Sequence, residues 1–177
     1  TKSKDISKIK VLDPACGAGS FLTAAYDKIL DTLTKQNPQT SLFAKFDILK
    51  ENIFGVDLDA QAVEIAQLNL LLKVLSQKTK LPTLQHNLRV GNSLISGNGE
   101  KLEKYFGEHW RAQKPFSFKD EFGKVFSSGG FDVIIGNPPY VRPENVNKKE
   151  RGYFLNAGEF EKTFGRFDLY ILFVERA

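Results

Sequence analysis

Four short apolar runs, each ending in or beside a polar residue, constrain the fold of this chain more than any other feature. The runs are IKVLD (9–13), IFGVD (53–57), LRVGN (88–92) and FDVIIGN (131–137). Their β-branched content is typical of strands buried on both faces of a sheet. Because segments of helical periodicity separate them, the sequence predicts an α/β protein with a mostly parallel, doubly wound sheet and right-handed crossovers.

The segments between these runs carry recognisable helix signals. Ser20 is predicted to cap a helix that continues to about Lys35, and Asp59 to cap one that ends near Ser76. The other predicted helical pieces are one or two turns within 43–50, two short surface helices within 97–130, and a closing helix from about Asp168 after a polar, Lys-rich connection.

Composition excludes several classes of protein. One Cys in 177 residues excludes a disulfide framework and a cysteine-based zinc site, and His86 and His109 have no metal-ligand spacing. We therefore expect no metal, and we expect a reducing cytoplasm. The apolar runs are too short to span a bilayer, so no membrane partner is expected. The net charge of +4 permits a nucleic-acid partner without requiring one.

The chain lacks Met and stops inside an amphipathic pattern, FDLYILFVERA. We therefore expect residues 1–177 to be part of a longer protein.

The carboxyl ends of the four predicted strands carry the residues of greatest chemical interest. Asp13, Asp57 and Asn137 end three of the strands, and Asn92 stands at the end of the other. In doubly wound sheets, ligands bind in the crevice outside these strand ends. This coincidence is the first indication of a functional site.

A glycine-containing loop, DPACGAGS, follows the first strand. Gly17 and Gly19 would let the backbone turn sharply and approach a ligand closely. The loop departs from the dinucleotide fingerprint, because a third Gly is missing and Asp57 follows Gly17 by 40 residues instead of about 20. The pattern disfavours NAD.

Two carboxylates indicate a different ligand. Asp13 would repel a pyrophosphate but suits a ligand that carries an ammonium and a sulfonium group, and Asp57 can accept hydrogen bonds from a ribose diol. Both features describe S-adenosyl-L-methionine. Cys16 is interpreted as a small residue packed beside the ligand, since neither His is placed to activate a nucleophile.

The loop Asn-Pro-Pro-Tyr (137–140) follows the fourth predicted strand. Its two prolines remove two backbone donors and hold the preceding residues extended. The Asn137 side-chain oxygen and the Pro138 carbonyl are then acceptors on a stiff frame, and Tyr140 adds a flat face. This arrangement suits an exocyclic amino group whose ring stacks on the tyrosine.

Five segments together resemble the gamma class of DNA adenine-N6 methyltransferases, above all the methyltransferase part of large single-chain (type IIG-like) restriction–modification enzymes. They are DPACGAGSFL, GVDLDAQAVEIAQLNL, GNSL, FDVIIGNPPYV and DLYILFVERA. The resemblance implies a Rossmann-like methyltransferase fold with strand order 3-2-1-4, S-adenosyl-L-methionine as cofactor and a flipped-out adenine of double-stranded DNA as substrate. It further implies that residues 1–177 are a partial catalytic domain. Later strands, a target-recognition domain and a fused or associated nuclease would lie outside, and the isolated chain is expected to be poorly active.

The resemblance also assigns roles to individual residues. Asn137, Pro138 and Tyr140 would be catalytic, and Pro139, Asp168 and Tyr170, with Phe173 nearby, would shape the base pocket. Leu58 would pack on the cofactor's adenine, and Asn92, where the family often has Asp, would contact its amino group. The cofactor-binding residues implied are Asp13, Ala15, Cys16, Gly17, Gly19, Asp57, Leu58, Asn92 and Ser93.

Other functions remain open at this point. RNA methyltransferases and protein-glutamine methyltransferases use a similar loop to hold other planar nitrogens. A non-catalytic cofactor-binding or DNA-binding module would keep the fold without the chemistry, and an NAD-dependent dehydrogenase is a more distant alternative. The basic residues that follow the loop, at 142, 148, 149 and 151, fit either DNA phosphates or a solvated face.

Overall fold

Each of the four β-rich runs forms a strand in the computed structural model, which describes residues 5–39, 42–75, 81–161 and 168–177. The strands are β1 (Val11–Asp13), β2 (Ile53–Asp57), β3 (Leu88–Val90) and β4 (Val133–Ile134). All pairs are parallel and the spatial order is β3-β2-β1-β4. The predicted fold class and strand order are confirmed.

Eight α-helices are found in the described part of the chain. They are α1 (Ser20–Gln36), α2 (Leu42–Glu51), α3 (Ala60–Leu72), α4 (Gly99–Phe106), α5 (Phe118–Glu121), α6 (Gly123–Ser127), α7 (Lys148–Asn156) and α8 (Leu169–Arg176). Asp59 caps α3, as predicted, because its side chain accepts from the Gln61 amide at 2.9 Å. Asp168 is the N-cap residue of α8, so the predicted start of the closing helix is confirmed.

The predicted cap of α1 is wrong. The helix begins at Ser20, and its N-cap is Gly19, in a left-handed conformation with φ of 81°. A Cβ at Gly19 would lie 2.9 Å from the Ala66 Cβ of α3, so this position combines a turn and a close helix contact that only glycine fits.

Three other predictions along the chain need correction. Helix α3 ends at Leu72, a turn earlier than expected, and Ser76 itself lies outside the described residues. The Lys-rich connection contains α7, whose N-cap Asn147 accepts from the Glu150 amide at 2.9 Å. The segment 97–130 holds three α-helices and a 3-10 turn instead of two helices.

The sheet separates two apolar cores. One lies between the sheet and α1–α3 and includes Val11, Leu22 and Val63. The other face packs Leu12 and Phe54 against aromatic residues from the segment between β3 and β4. A third cluster joins α4, α7 and α8 and supports the loops at the carboxyl edge of the sheet.

None of the helices described in the structure combines the length and the apolar character needed to cross a bilayer.

Candidate active site

The four strand ends meet at one edge of the sheet, because all pairs are parallel. Asp13 is in register with Gly55, and Asp57 with Val90, so the two carboxylates lie on neighbouring strands at the same edge. The loops after β1, β2, β3 and β4 therefore surround one crevice.

The glycine loop is fixed by hydrogen bonds from its own amides. The Cys16 amide donates to the Val56 carbonyl at 3.0 Å, and the Gly17 amide donates to Asp57 Oδ2 at 2.7 Å. The loop then closes with a bond from the Gly19 amide to the Cys16 carbonyl at 2.8 Å. These bonds tie the loop to the end of β2.

The two glycines of the loop face different surroundings. Gly17, with φ of 50°, has no atom within 4 Å of an ideal Cβ, so its backbone borders open space. Gly19 instead packs on Ala66, and Asn69 of α3 donates to the Ala18 carbonyl at 3.0 Å. One glycine thus opens the crevice, and the other docks the loop on α3.

Asp13 is a buried carboxylate at the end of β1, with 1% of its surface exposed. Burial raises its pKa from the ordinary value of 3.8 to about 6. The Ala15 amide, which donates to Oδ1 at 3.0 Å, opposes this pKa shift, and the negative charge of Asp57 adds to it. A cationic ligand group would supply the positive charge that the ionised carboxylate lacks.

Asp57 is oriented by two amides. Gly17 donates to one of its oxygens and Asp59 to the other, the latter bond being 2.9 Å long. Each carboxylate oxygen keeps a second lone pair that can accept from a ligand hydroxyl. The side chain is therefore held in one orientation and still has acceptor capacity.

Cys16 is a buried thiol against the sheet. Burial raises its pKa to about 12, and the charges of Asp13 and Asp57 contribute in the same direction. An ideal Cβ on Gly55 would lie 3.1 Å from the Cys16 Cβ, so the thiol packs closely on β2. A thiol with this pKa is protonated at neutral pH and is a poor nucleophile.

The loops after β2 and β3 hold Leu58 and Asn92. The Leu58 side chain is 50% exposed, so it offers apolar surface to a ligand. The Asn92 oxygen accepts from the Leu94 amide at 3.1 Å, and its backbone amide donates to the Lys114 carbonyl at 2.7 Å. The oxygen predicted to face the cofactor's adenine is thus already engaged by its own turn through one lone pair.

Ser93, also predicted to bind the cofactor, has its hydroxyl engaged within the protein. It is buried, and its hydroxyl donates to the Pro14 carbonyl at 2.6 Å. Ser93 therefore holds the glycine loop from the β3 side.

The loop after β4 leaves the sheet beside Asp13. The last strand bond joins the Ile135 amide to the Leu12 carbonyl at 2.9 Å, and Gly136 follows with φ of 155°. An ideal Cβ on Gly136 would lie 2.6 Å from Asp13 Oδ1. The Asn-Pro-Pro-Tyr loop thus begins in contact with the carboxylate that precedes the glycine loop.

Two acceptors of the Asn-Pro-Pro-Tyr loop are free in the described part of the molecule. Within it, neither the Asn137 side chain nor the Pro138 carbonyl takes part in a hydrogen bond. Asn137 and Pro139 are exposed and Pro138 is half-buried. The loop therefore presents oxygen atoms that a ligand's N–H groups can reach.

Two tyrosines stand together at the outer side of this loop. Tyr140 is 73% exposed, and its ring centroid lies 5.4 Å from that of Tyr170 at 40°. The Leu169 amide donates to the Val141 carbonyl at 3.0 Å and fastens the start of α8 to the loop. The structure thus brings together Tyr140, predicted to be catalytic, and the predicted base-pocket residue Tyr170.

The other two residues predicted near the base pocket lie in and before α8. Asp168, half-buried, makes no side-chain hydrogen bond to the helix it precedes. Phe173 is buried in the cluster that joins α4, α7 and α8, so it supports the helix from behind.

Comparison with known proteins gives the family. Residues 51–177 match the family described as Eco57I restriction-modification methylase. The chain belongs to this family. The match confirms the resemblance read from the sequence motifs.

Relatives of this methylase domain are considerably longer proteins. The chain is 32% identical over 201 residues to the type II restriction enzyme and methyltransferase RM.Eco57I of Escherichia coli, covering 98% of the chain and 19% of that relative. It is 26% identical over 183 residues to the type II methyltransferase M.BstVI of Geobacillus stearothermophilus, covering 100% of the chain and 27% of that relative. The chain thus spans between about a fifth and about a quarter of the length of these relatives.

Solved structures agree with the fold. The type IIL restriction-modification enzyme MmeI, solved in complex with DNA, superposes with a TM-score of 0.60 at 17% identity, covering 97% of the chain and 22% of MmeI. At this level of identity the likeness supports the methylase fold alone.

Three residues of the candidate site were not among the predicted site residues. Gly136 contacts Asp13, Asn69 holds the glycine loop, and the Lys114 ammonium donates to the Leu58 carbonyl at 2.9 Å. Gly136 could have been noticed, since a glycine at the end of a strand often marks a close backbone approach. Asn69 and Lys114 act through contacts distant in sequence, and no local pattern predicts them.

Proposed function

We propose that this chain carries the catalytic centre of a DNA adenine-N6 methyltransferase of a restriction–modification system, using S-adenosyl-L-methionine. The observation that carries the proposal is the contact between Gly136 and Asp13, which puts the two loops of the site side by side. One loop has the chemistry to hold a methyl donor and the other to hold an amine.

The residues around the glycine loop fit S-adenosyl-L-methionine. Asp13, buried and without a cationic partner among the described residues, suits the ligand's ammonium or sulfonium charge. The open space at Gly17 leaves room for the methionine part, and Asp57 has spare lone pairs for the ribose hydroxyls. Leu58 is exposed where it can pack on the adenine ring. When bound, the cofactor supplies an activated methyl group.

The Asn-Pro-Pro-Tyr loop would prepare the accepting nitrogen. The lone pair of adenine N6 is delocalised into the ring, which makes the amine a poor nucleophile. Asn137 Oδ1 and the Pro138 carbonyl would each accept from one N6 hydrogen, draw the nitrogen towards tetrahedral geometry and free the lone pair for attack on the methyl carbon. As the bond from nitrogen to this carbon formed, the bond from the carbon to the sulfonium sulfur would break, and its electron pair would stay on sulfur. The nitrogen then loses one proton to solvent. Such preorganised contacts are worth about 3 kcal/mol each in comparable sites.

The target adenine has to leave the duplex to reach this loop, at a cost of a few kcal/mol. Tyr140 and the neighbouring Tyr170 ring provide aromatic surface on which a flipped base can stack. The exposed residues Arg142, Lys148 and Arg151 follow the loop closely and can contact phosphates.

Relatives and structural neighbours support DNA as the substrate. The relatives include proteins named as adenine-specific methyltransferases, such as PglX of Streptomyces coelicolor, and several neighbours were solved with DNA. Since the relatives are much longer, we propose that target recognition and any nuclease activity lie in other parts of the protein. A reaction on cellular DNA would take place in the cytoplasm.

A labelling experiment tests the proposal. The intact polypeptide is incubated with S-adenosyl-L-methionine carrying a labelled methyl group and, separately, with duplex DNA, RNA or a glutamine-containing peptide. We expect label only in DNA, as N6-methyladenine on mass spectrometry of the nucleosides. Label confined to RNA or peptide would contradict the proposed substrate.

A melting experiment distinguishes the non-enzymatic alternatives. We expect S-adenosyl-L-methionine, and not NAD, to raise the melting temperature of the same polypeptide. A cofactor-induced shift without methyl transfer to any of the three substrates would instead indicate a binding module.

A further inference from the structure

Gly136, the residue before Asn137, lies closer to Asp13 than any side chain would allow. An ideal Cβ at this position would be 2.6 Å from Asp13 Oδ1 and 3.2 Å from Asp13 Cγ. Carbon and oxygen atoms that are not bonded do not approach to 2.6 Å, so a substitution must displace either the carboxylate or the loop. The φ of 155° is a second, independent restriction to glycine.

The carboxylate has little freedom to move away. Asp13 is in β1, is 1% exposed, and accepts from the Ala15 amide at 3.0 Å. The next residue, Pro14, is held by the buried Ser93 hydroxyl at 2.6 Å. A group added at Gly136 would therefore displace the segment that can give way, and this is the exposed Asn-Pro-Pro-Tyr loop.

We propose that Gly136 is a positioning residue for methyl transfer: its missing side chain seats the Asn-Pro-Pro-Tyr loop directly on the Asp13 carboxylate and so fixes the distance between the bound methyl donor and the accepting amine. This inference rests on the proposed function. Asn137 is covalently joined to Gly136, so a shift of the loop at Gly136 moves both acceptor oxygens relative to the cofactor crevice. Because Asp13 itself remains in place, cofactor binding is affected less than the chemical step.

The test is Gly136→Ala in the intact polypeptide, with Gly130→Ala as the matched control. Gly130 also has positive φ, 89°, but an ideal Cβ there meets no atom within 4 Å. Both variants therefore strain the backbone, and only G136A adds a contact with Asp13. We expect G136A to lower kcat about tenfold to a hundredfold, the range found for small misplacements of reacting groups, with less than about a threefold change in cofactor Kd. G130A should keep the kcat and the Kd of the unmodified protein.

Thermal melting provides a second measurement that does not depend on turnover. If the added methyl group acts through Asp13, G136A should lower the melting temperature more in the unmodified protein than in an Asp13→Ala background, where the contact is absent. In that background its effect should fall to that of G130A.

Several outcomes would overturn the inference. In the kinetic experiment, these are a kcat of G136A within about twofold of that of the unmodified protein, or an equal loss of kcat in G130A. A loss of cofactor affinity in G136A as large as its loss of kcat would also overturn it. In the melting experiment, the contradicting result is that G136A shifts the melting temperature equally in the presence and absence of the Asp13 side chain. Each of these comparisons requires that the unmodified protein methylates DNA. An unmodified protein that binds no cofactor and methylates nothing would instead contradict the proposed function.

Discussion

The glycine loop after β1 and the Asn-Pro-Pro-Tyr loop after β4 are held in their positions by different means. In the glycine loop, residues 13–19, Asp13, Cys16 and Gly19 are buried. The loop's own amides donate to β2, and the side chains of Asn69 and Ser93 donate to its carbonyls. In the Asn-Pro-Pro-Tyr loop the residues are exposed or half-buried, and the described contacts leave the two acceptors of Asn137 and Pro138 free. The proline rings stiffen the second loop, where the Val141 amide also donates to the Pro139 carbonyl at 3.2 Å.

Because of this difference, substitutions in the two loops are expected to affect different properties, namely stability and the reaction rate. Substitutions in the glycine loop remove buried contacts and are expected to change folding and ligand binding together. Substitutions at the exposed acceptors remove little native structure, so they are expected to change the reaction alone. Four predictions test this contrast, in decreasing order of the expected effect.

Asn137→Ala should produce the largest effect. It removes one of the two acceptors for N6, and we expect methyl transfer to fall by about 10²–10³-fold. Cofactor affinity measured by calorimetry and the urea midpoint should stay close to those of the unmodified protein, since Asn137 is exposed and makes no described hydrogen bond. The control is Asn145→Ala, in the exposed 3-10 turn that follows. If N137A lost cofactor affinity as much as methyl transfer, the proposed difference in role between the two loops would be wrong.

Asp13→Asn should change stability and binding in opposite directions. The native pKa, raised from 3.8 to about 6 by burial, means that the folded state holds this proton more tightly than the unfolded state. The contribution of Asp13 to the free energy of unfolding is therefore highest below about pH 4 and decreases as the pH rises through about 6. At pH 7 the ionised carboxylate costs about 3 kcal/mol.

The variant should consequently be more stable than the unmodified protein at pH 7 and equally stable near pH 4, as urea unfolding at a series of pH values would measure. Cofactor affinity of the unmodified protein should rise through pH 6 as the carboxylate ionises, whereas the variant should bind weakly throughout. Parallel stability profiles for the two proteins would contradict the assigned burial cost.

Asp57→Ala should weaken cofactor binding by about 1–3 kcal/mol, since the ribose hydroxyls lose a charged acceptor. It should also lower stability, because the Gly17 and Asp59 amides lose their partner. Asp59→Ala is the matched control: it removes the α3 cap, at about 0.5–2 kcal/mol of stability, and should leave cofactor affinity intact. Equal affinities for D57A and D59A would argue against ribose binding.

Ser93→Ala should show the smallest effect. Loss of its hydrogen bond to Pro14 should cost about 1 kcal/mol in the free energy of unfolding and lower cofactor affinity only slightly, through a looser glycine loop. Ser117→Ala, which removes the cap of the distant α5, should cost similar stability with no change in affinity. If S93A abolished cofactor binding, Ser93 would be a direct ligand contact.

Much of the fold could be predicted because its signals are local. The β-branched runs that end in Asp or Asn predicted the strands, and Asp59 predicted the start of α3. The structure confirms both predictions. The assignment of the α1 cap to Ser20 failed because the glycine loop requires left-handed backbone at Gly19, one residue earlier. Helix α7 was missed because its first turn is charged and its apolar face is short.

The sequence by itself determined which chemistry is available: a glycine turn between two acidic strand ends, and a proline-stiffened turn with free acceptors. These depend on backbone preferences of single residues, which act over a few positions. Only the tertiary structure decided that Gly136 lies against Asp13, that the Ser93 hydroxyl donates to the Pro14 carbonyl, and that the Tyr140 ring lies beside that of Tyr170. Those distances follow from strand register and from packing between segments far apart in the chain, and no local pattern encodes them.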